Sequence, residues 1–286
     1  MTQSELLKSI RQYFWDLNFT EIEIPYLNSS LPLEPNLYTF KTTWTHRHQD
    51  YFLPTSPEFA LKKYLTHNYQ NCFAVSHCFR DLENEGHDHT PEFLMLEWYE
   101  IGKTYQDLML STQNFIKNFL DIEFTTLNLP QNLPNNEPDF NQYFLNEIEP
   151  NLPKDKAIFI TGYPAFLSPL AATSDSELNN FSAHSECEGM SPKVASTAKI
   201  GLTSDRFELY INGLEIANAC TENTNSDSIL KAFNSEKAYR IKNNLPLHPI
   251  DNSFATNSVK LGLTSGIGLG IDRLLKIINN YAKFSR

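Results

Sequence analysis

The chain has 286 residues, of which 41% are hydrophobic and 20% charged, a balance typical of a folded domain with a sizeable core. Its formal net charge of −11 disfavours nonspecific binding to nucleic acid. No apolar run suits a signal peptide or a membrane span, and the four cysteines form no CxxC pair, so we expect a cytoplasmic protein with no membrane partner.

Hydrophobic spacing and turn residues predict the first elements. Residues 4–17 repeat apolar side chains at helical spacing, with Ser4 as a candidate N-cap. Residues 20–25 alternate like a strand that stops at a proline. Ser56 and Pro57 then suit the start of a second helix.

The rest of the chain is predicted to alternate hairpins with helices. Strands at 72–79 and 93–101 flank an exposed loop, and the Asn-Gly pair at 212–213 predicts a hairpin with a type I′ turn. The Ser/Thr/Asn-rich segment 172–205 indicates a surface insertion or lid. The other predicted elements are helices at 105–120, 228–243 and 271–280 and a last strand at 258–265. We therefore expect a single α+β domain over 1–286, with a mainly antiparallel sheet flanked by helices.

The strand at 93–101 has an unusual face for a core. Alternation places an aromatic, a carboxylate and a phenol on one side, at Phe93, Glu97 and Tyr99. Taken alone, this face is explained by a strand end exposed to solvent. Arg80, across the loop, favours a binding site instead, because its planar guanidinium group can make two hydrogen bonds to one phosphate or carboxylate. Phe93 then supplies a surface on which adenine can stack. His89 fits a terminal-phosphate ligand and an exposed loop histidine equally well.

The predicted hairpin places two acidic residues side by side. With the turn at 212–213, Tyr210 faces Glu215 and Glu208 faces Ala217, so the two glutamates are diagonal neighbours on one face. Like charges at this spacing need water or a cation between them. Mg²⁺ accompanying ATP would supply that cation, and a half-exposed sheet is the alternative.

Alternate glycines precede the last predicted helix. Gly266, Gly268 and Gly270 remove the side chains from one strand face, so that a flat ligand can lie against the backbone. Arg273 follows near the helix start, where the dipole does not favour it, and this indicates an anionic partner. The spacing matches neither a dinucleotide fingerprint nor a phosphate loop.

Together these segments resemble the class II aminoacyl-tRNA synthetases, in particular the lysyl branch and the free-standing ligases of that branch that modify elongation factor P. The matching residues are 53–58 (LPTSPE), 78–80 (CFR), 89–99 (HTPEFLMLEWY), 206–210 (RFELY), 213–218 (GLEIAN), 245–251 (LPLHPID) and 268–273 (GLGIDR).

The resemblance implies a homodimer that uses the first helix and the strand at 20–25, and it implies a role for each motif residue. Arg80 and Arg273 would be catalytic and, with Mg²⁺, stabilise charge on the phosphates of ATP. The implied ATP-binding residues are Arg80, Glu83, His89, Phe93, Glu208, Glu215, Gly270 and Arg273, with Glu208 and Glu215 also holding the metal. The implied residues for the amino acid are Glu58, Glu97, Tyr99, Asn218, Glu222 and Gly268.

Several departures from the family pattern leave choices open. The loop after Arg80 is longer than usual, so that either Glu83 or Glu85 takes the adenine-side role. Gly268 stands where the free-standing ligases typically have alanine, which leaves open whether the substrate is lysine or β-lysine. Simple alternation does not bring Asn218 to the face of Glu215, so its implied role requires a twist or bulge.

The resemblance predicts an ATP-dependent ligase that forms an aminoacyl-adenylate and places lysine or β-lysine on a lysine of elongation factor P. The first helix begins within the first ten residues, so we expect no anticodon-binding domain and do not expect tRNA as the acceptor. Two alternatives remain: a truncated paralogue that acts on tRNA or a small molecule, and a non-catalytic protein that binds lysine and ATP.

Overall fold

The computed structural model describes residues 1–82, 90–174 and 202–284. Its helices are α1 (Gln3–Asp16), α2 (Glu58–Asn68), α3 (Tyr105–Lys117), α4 (Glu137–Tyr143), α5 (Ser226–Asn243), α6 (Asn252–Asn257) and α7 (Ile271–Phe284). The strands before residue 170 are β1 (Thr20–Glu21), β2 (Lys41–Trp44), β3 (Gln49–Phe52), β4 (Cys72–Phe79), β5 (Glu92–Ile101), β6 (Phe124–Asn128) and β7 (Ala157–Thr161). The later strands are β8 (Thr173–Ser174), β9 (Thr203–Ser204), β10 (Arg206–Ile211), β11 (Leu214–Thr221) and β12 (Thr264–Gly270).

The described residues form one large sheet of eight strands in the order β1-β4-β5-β12-β11-β10-β7-β6. The edge pairs β1–β4 and β6–β7 are parallel, and every pair between them is antiparallel. The strands β2–β3 and β8–β9 form separate small hairpins. The prediction of an α+β fold with a mainly antiparallel sheet is confirmed.

The main core lies between one face of this sheet and helices α1, α3 and α7. Phe14 of α1 and Phe115 of α3 pack against Trp98 of β5, with ring centroids 5.1 and 5.6 Å from the indole. Leu94 and Leu96 belong to the same core, so alternate residues of β5 point into it. The intervening residues of β5 therefore face the opposite side of the sheet, where the candidate site lies.

The N-terminal elements differ from their predictions in two details. Thr2, and not Ser4, caps α1, because Thr2 and Glu5 exchange the reciprocal hydrogen bonds of a capping box. The strand predicted at 20–25 is limited to Thr20–Glu21. Ile24 is instead buried in a cluster with residues of α2, which takes the chain away from the sheet edge.

The last predicted strand was misplaced. Residues 258–261 form a short 3-10 helix, and the strand β12 runs from Thr264 to Gly270. Glycine has a low intrinsic preference for strands. Here β12 is paired on both sides, with β5 and β11, so the hydrogen-bond ladders of its neighbours determine its structure.

Most of the insertion predicted at 172–205 lies outside the described residues, as do His89, Glu83 and Glu85. The described ends of that segment are β8 and β9, which pair with each other. No helix in the described ranges combines the length and apolar character needed to cross a membrane.

Candidate active site

Two rows of residues cross the sheet, and all of them except Glu208 line the floor of a cleft of about 500 Å³. Directly paired residues of antiparallel strands point to the same face, so the strand register defines each row. The first row is Glu97, Gly268, Asn218 and Glu208, and the second is Tyr99, Gly266, Cys220 and Arg206.

The glycines give each row its shape. At Gly266 an added Cβ would lie 2.2 Å from a ring carbon of Tyr99, so the tyrosine ring occupies the space that the missing side chain leaves. At Gly268 an added Cβ would meet its nearest neighbour, the sulfur of Met95, at 3.4 Å, so the floor between Glu97 and Asn218 is open. A ligand can therefore lie over Gly268 with an acid on one side and an amide on the other.

A β-bulge in the β10–β11 hairpin corrects the predicted register. Tyr210 faces Glu215 as predicted, but Glu208 faces Asn218 and not Ala217, because Ile216 is an extra residue without a partner on β10. The bulge brings Asn218 to the cleft side of β11. This is the irregularity that the resemblance requires.

A buried acidic pocket lies at one end of the cleft. Glu97 and Glu222 are 4% and 5% exposed, and the hydroxyl of Tyr99 donates a hydrogen bond to Glu97 at 2.8 Å. Glu58, at the start of α2, lines the same space. The structure thus brings together four of the residues predicted to bind the amino acid.

Lys62 lies against the carboxylates of this pocket, and sequence reasoning missed it. Its ammonium group contacts the carboxylates of both Glu58 and Glu222, is 4% exposed, and lies 5.3 Å from the ring centroid of Phe254. The spacing of Glu58 and Lys62 in α2 signals an ordinary surface pair one helical turn apart. No signal in the sequence indicates the contact with Glu222.

Burial dominates the electrostatics of the pocket. It raises the pKa of Glu97 well above the usual range of a glutamate, and the charge of Glu58 adds to the effect. It also raises the pKa of Glu222 to about 7, although Lys62 opposes the shift. Burial disfavours the charge of Lys62, but the carboxylates of Glu222 and Glu58 outweigh it and raise the pKa of the lysine. The pocket is therefore short of positive charge.

Two arginines line the other part of the cleft. The guanidinium carbon of Arg80 lies 5.1 Å from the ring centroid of Phe93, and Nε donates to the carbonyl oxygen of Thr55 at 3.3 Å. Nη1 of Arg273 donates to the carbonyl oxygen of Glu215 at 2.8 Å and lies 3.4 Å from Oε2 of that side chain. These arginines and the aromatic ring are the groups that the sequence predicted for a nucleotide.

Gly270 lies between the two rows and Arg273. An added Cβ there would lie 3.5 Å from Cδ of Arg273, so the absence of a side chain leaves the arginine stem close to the strand backbone. The glycine and Phe93 line the same cleft, which leaves a flat surface of the kind that a base requires.

The carboxylates predicted to bind a metal are already in contact with protein groups. Oε1 of Glu208 pairs with Arg206, and Oε2 accepts hydrogen bonds from Tyr163 at 2.5 Å and Tyr210 at 3.2 Å. Burial raises the pKa of Glu208, and Arg206 opposes that shift. Arg206 belongs to the 206–210 motif quoted from the sequence, but no role was predicted for it there.

The carboxylates of Glu208 and Glu215 suit a metal ion that also binds the phosphates of the substrate. A carboxylate offers roughly four acceptor sites, so Glu208 and Glu215 each keep some capacity. In residues 1–82, 90–174 and 202–284, no cluster of three or more histidine, cysteine or acidic side chains is placed to hold an ion alone. Mg²⁺ commonly takes one or two carboxylates plus substrate phosphates, which is what these two glutamates offer.

Comparison with known proteins gives a consistent set of relatives. The family model for class II tRNA synthetases (D, K and N) matches residues 1–284. The chain is 28% identical over 317 residues to the elongation factor P--(R)-beta-lysine ligase of Buchnera aphidicola subsp. Acyrthosiphon pisum (strain Tuc7), covering 97% of this chain and 90% of the relative. The protein of the same name from Yersinia enterocolitica serotype O:8 / biotype 1B is 27% identical, with 100% of this chain and 92% of the relative covered.

Proposed function

We propose a function for this chain from its family, since the chain belongs to the class II tRNA synthetases of the D, K and N group. The protein activates lysine or β-lysine with ATP and transfers it to elongation factor P. The enzyme is an ATP-dependent amino acid ligase. The observation that carries the proposal is the buried acidic pocket beside a cleft that holds two arginines and an aromatic ring.

The acidic pocket would bind the amino acid. Glu97, Tyr99 and Glu222 would surround the side-chain ammonium, because charge-assisted hydrogen bonds offset the cost of burying carboxylates. Glu58 would receive the amino group near the carboxylate, and Asn218 would bind the carboxylate itself. Gly268 would form the floor under the carbon chain of the amino acid. The space above it is open, since a Cβ added at Gly268 would have its nearest neighbouring atom at 3.4 Å.

The arginine end of the cleft would bind ATP in a bent form. Phe93 and Arg273 would hold adenine between them over Gly270, and His89 and Glu83 are proposed contacts from the loop outside the described residues. Arg80 would contact both the substrate carboxylate and the α-phosphate. Positive groups fixed in this way stabilise negative charge as it develops on the phosphates.

Activation is an in-line displacement at phosphorus. The amino-acid carboxylate attacks the α-phosphorus, the bond to the bridging oxygen breaks, and pyrophosphate leaves. Arg80 and Arg273 would hold the two oxygens in line and stabilise their charge. Glu208 and Glu215 would hold Mg²⁺, which, when bound, neutralises phosphate charge.

Transfer completes the reaction. The amine of a lysine side chain on elongation factor P attacks the carbonyl of the mixed anhydride, loses a proton, and displaces AMP. Because the acceptor is a translation factor, we expect the enzyme in the cytoplasm. Purified protein with ATP and either lysine isomer should raise the mass of elongation factor P by one lysyl group. An unchanged mass, with base-labile label on RNA instead, would support the alternative acceptor.

We also propose a homodimer. The end of α1 and the segment after β1 expose large apolar side chains, with Trp15 50%, Leu17 52% and Leu27 58% exposed. A second copy of the chain would cover them. Light scattering after gel filtration should give twice the monomer mass, and a monomer at micromolar concentration would refute the proposal.

A further inference from the structure

Residues 34–37 form one wall of the cleft, and the residues just before them are anchored to another segment of the chain. Backbone hydrogen bonds of 3.2 and 3.3 Å link Leu31 to the segment 245–251. Nε2 of His248 lies 3.0 Å from the carbonyl oxygen of Pro32. The 245–251 motif contributes no residue to the proposed reaction, and its contacts instead fix this wall.

Arg240 of α5 fixes the next part of the same wall. Its side chain is fully buried, and Nη2 donates to the carbonyl oxygens of Glu34 at 2.6 Å and Leu37 at 2.9 Å. Nε pairs with Glu236 at 2.6 Å, so the buried charge is compensated. The backbone of Glu34 is therefore held in place independently of its own side chain.

Glu34 lines the cleft, as do the three acids of the buried pocket, Glu58, Glu97 and Glu222. Lys62 contacts the first and the third, and a tyrosine hydroxyl donates to Glu97. Among the described residues, none forms a hydrogen bond or ion pair with the Glu34 carboxylate. Of these four acids, Glu34 is therefore the one whose whole carboxylate is left to accept hydrogen bonds from a ligand.

The backbone N–H of Asp81, next to Arg80, donates to the carbonyl oxygen of Tyr38 at 2.8 Å, which places the Arg80 end of the cleft beside the wall that carries Glu34. Burial raises the pKa of Glu34 to about 8 and the charge of Glu58 adds to this shift, while Lys62, Arg80 and Arg240 lower it. These are the charged groups that face it from α2, from the end of β4 and from α5. Arg80 marks the end of the cleft proposed for the substrate carboxylate.

Glu97 lies in the part of the pocket proposed for the side-chain ammonium, where it accepts a hydrogen bond from Tyr99. After burial, the groups that shift the pKa of Glu97 are Glu58, Tyr99, Lys62 and Glu222. The charges of Glu58 and Lys62 act on both acids, and the charge of Arg80 acts on Glu34.

We propose that Glu34, together with Glu58, binds the substrate amino group that lies next to the carboxylate. This inference deepens the proposed function and rests on it. Glu58 already shares its charge with Lys62, so a second carboxylate supplies the counter-charge that an incoming ammonium needs. The ammonium brings three donors, which two carboxylates can accept.

The inference predicts proton release on binding. Glu34 is largely protonated at neutral pH when its pKa is about 8, and it must ionise to pair with an ammonium. Lysine affinity should therefore increase as the pH rises from about 6.5 to about 8. In Glu34→Gln this dependence should be weaker, because the titrating group is gone.

Calorimetry of lysine binding tests the inference without requiring turnover. Glu34→Gln should weaken lysine binding about 10- to 100-fold, as expected for loss of a charged hydrogen-bond partner. The same variant should not weaken binding of 6-aminohexanoate, which lacks the amino group next to the carboxylate. Glu34→Asp, which keeps the charge, should retain the pH dependence.

Glu137→Gln is the matched control, because Glu137 lines the same cleft and its carboxylate accepts a hydrogen bond from Asn36 at 2.5 Å. It should bind lysine as the unaltered protein does. Equal lysine affinity and equal pH dependence in folded Glu34→Gln would overturn the inference, as would equal loss for lysine and 6-aminohexanoate. Failure of the unaltered protein to exchange pyrophosphate would refute the proposed function separately, since binding is measured without it.

Discussion

Lys62 places a charge of the protein itself inside the pocket proposed for a substrate ammonium. It contacts Glu58 and Glu222, and Glu97 lies close enough for all these charges to interact. With Glu34, four acids meet this single lysine ammonium, so the ionised pocket is short of positive charge. Lysine and β-lysine each carry two ammonium groups, so the charge of the pocket suits a diamino acid.

Removing the ammonium of Lys62 should destabilise the fold. Lys62→Met leaves the buried carboxylate of Glu222 and the partly buried carboxylate of Glu58 without their lysine partner, and we expect the free energy of unfolding at pH 8 to fall by about 3–5 kcal/mol. Urea denaturation measures this loss. Lys63→Met is the control, because Lys63 is exposed on the same helix and its replacement should change stability by less than about 0.5 kcal/mol. Equal effects of the two changes would contradict the role given to Lys62.

Glu222→Gln should separate the two substrates. Loss of a buried charged partner should raise the KM for lysine about 10²- to 10³-fold, with little change in the KM for ATP. Pyrophosphate exchange with each substrate varied in turn measures both constants. The exposed Glu147 provides a control, since Glu147→Gln should change neither. Comparable losses for lysine and ATP would remove Glu222 from the side-chain pocket.

The sequence predicted residues whose signal is local and missed those whose partner is distant. Glu97 and Tyr99 were predictable because they are alternate residues of a strand, and the structure places both on the cleft face. Lys62 was not predictable, because it contacts Glu222 across the fold. Arg206 was not either, because besides its neighbour Glu208 it contacts Ser168 and the ring of Tyr163, which lie in another segment. Spacing along a chain carries no information about such contacts.

At the scale of elements, β12 contains a matched pair of positions. Gly268→Ala should fold normally, because the added carbon meets the sulfur of Met95 at 3.4 Å, an ordinary contact. Gly266→Ala would drive the added carbon into the buried ring of Tyr99, at 2.2 Å, and should cost about 1–3 kcal/mol of stability. Thermal unfolding of the two variants measures the difference.

The same pair tests substrate binding. Because Gly268 lies between Glu97 and Asn218, an added methyl group should change the ratio of kcat/KM for lysine and β-lysine without abolishing activity. Gly266→Ala should instead reduce activity with both isomers. An unchanged isomer ratio in Gly268→Ala would place the substrate elsewhere.

The β10–β11 hairpin shows how far element prediction extends. The Asn-Gly turn was sufficient to predict that Tyr210 faces Glu215, but regular alternation then gave Glu208 the wrong partner. A bulge depends on packing against neighbouring strands, and the hairpin sequence alone does not reveal it. The expected role of Asn218 indicated the irregularity, and the structure contains it.

At the scale of the whole molecule, the buried acids should make stability depend on pH. Burial gives Glu222 a pKa of about 7 and Glu34 a pKa of about 8, well above the value of about 4.3 for an unfolded glutamate. Between about pH 5 and 8 the folded state therefore holds more protons, so stability should fall as the pH rises. The Tm of the ligand-free protein measures this.

Two comparisons check that interpretation. The double variant Glu34→Gln, Glu222→Gln should show a flatter dependence of Tm on pH, because neither group titrates. Lysine should raise the Tm of the unaltered protein more at pH 8 than at pH 6, since it supplies the missing positive charge. A Tm that increases steadily from pH 5 to pH 8 would contradict the account.

The fold class was predictable because hairpins and amphipathic helices have strong periodic signals. The parallel edge strands were not, since each pairs with a strand distant in sequence: β1 with β4, and β6 with β7. The cleft forms where the predicted motifs meet, on the sheet face opposite the helices α1, α3 and α7.

The central claim is that this cleft couples ATP to an amino acid with a positively charged side chain. Pyrophosphate exchange across a panel of amino acids tests it most directly, because the reaction requires both sites and no acceptor. The account predicts exchange with lysine or β-lysine and none above background with norleucine, which has a similar chain without the ammonium. Absence of exchange with every amino acid, or equal exchange with norleucine, would contradict it.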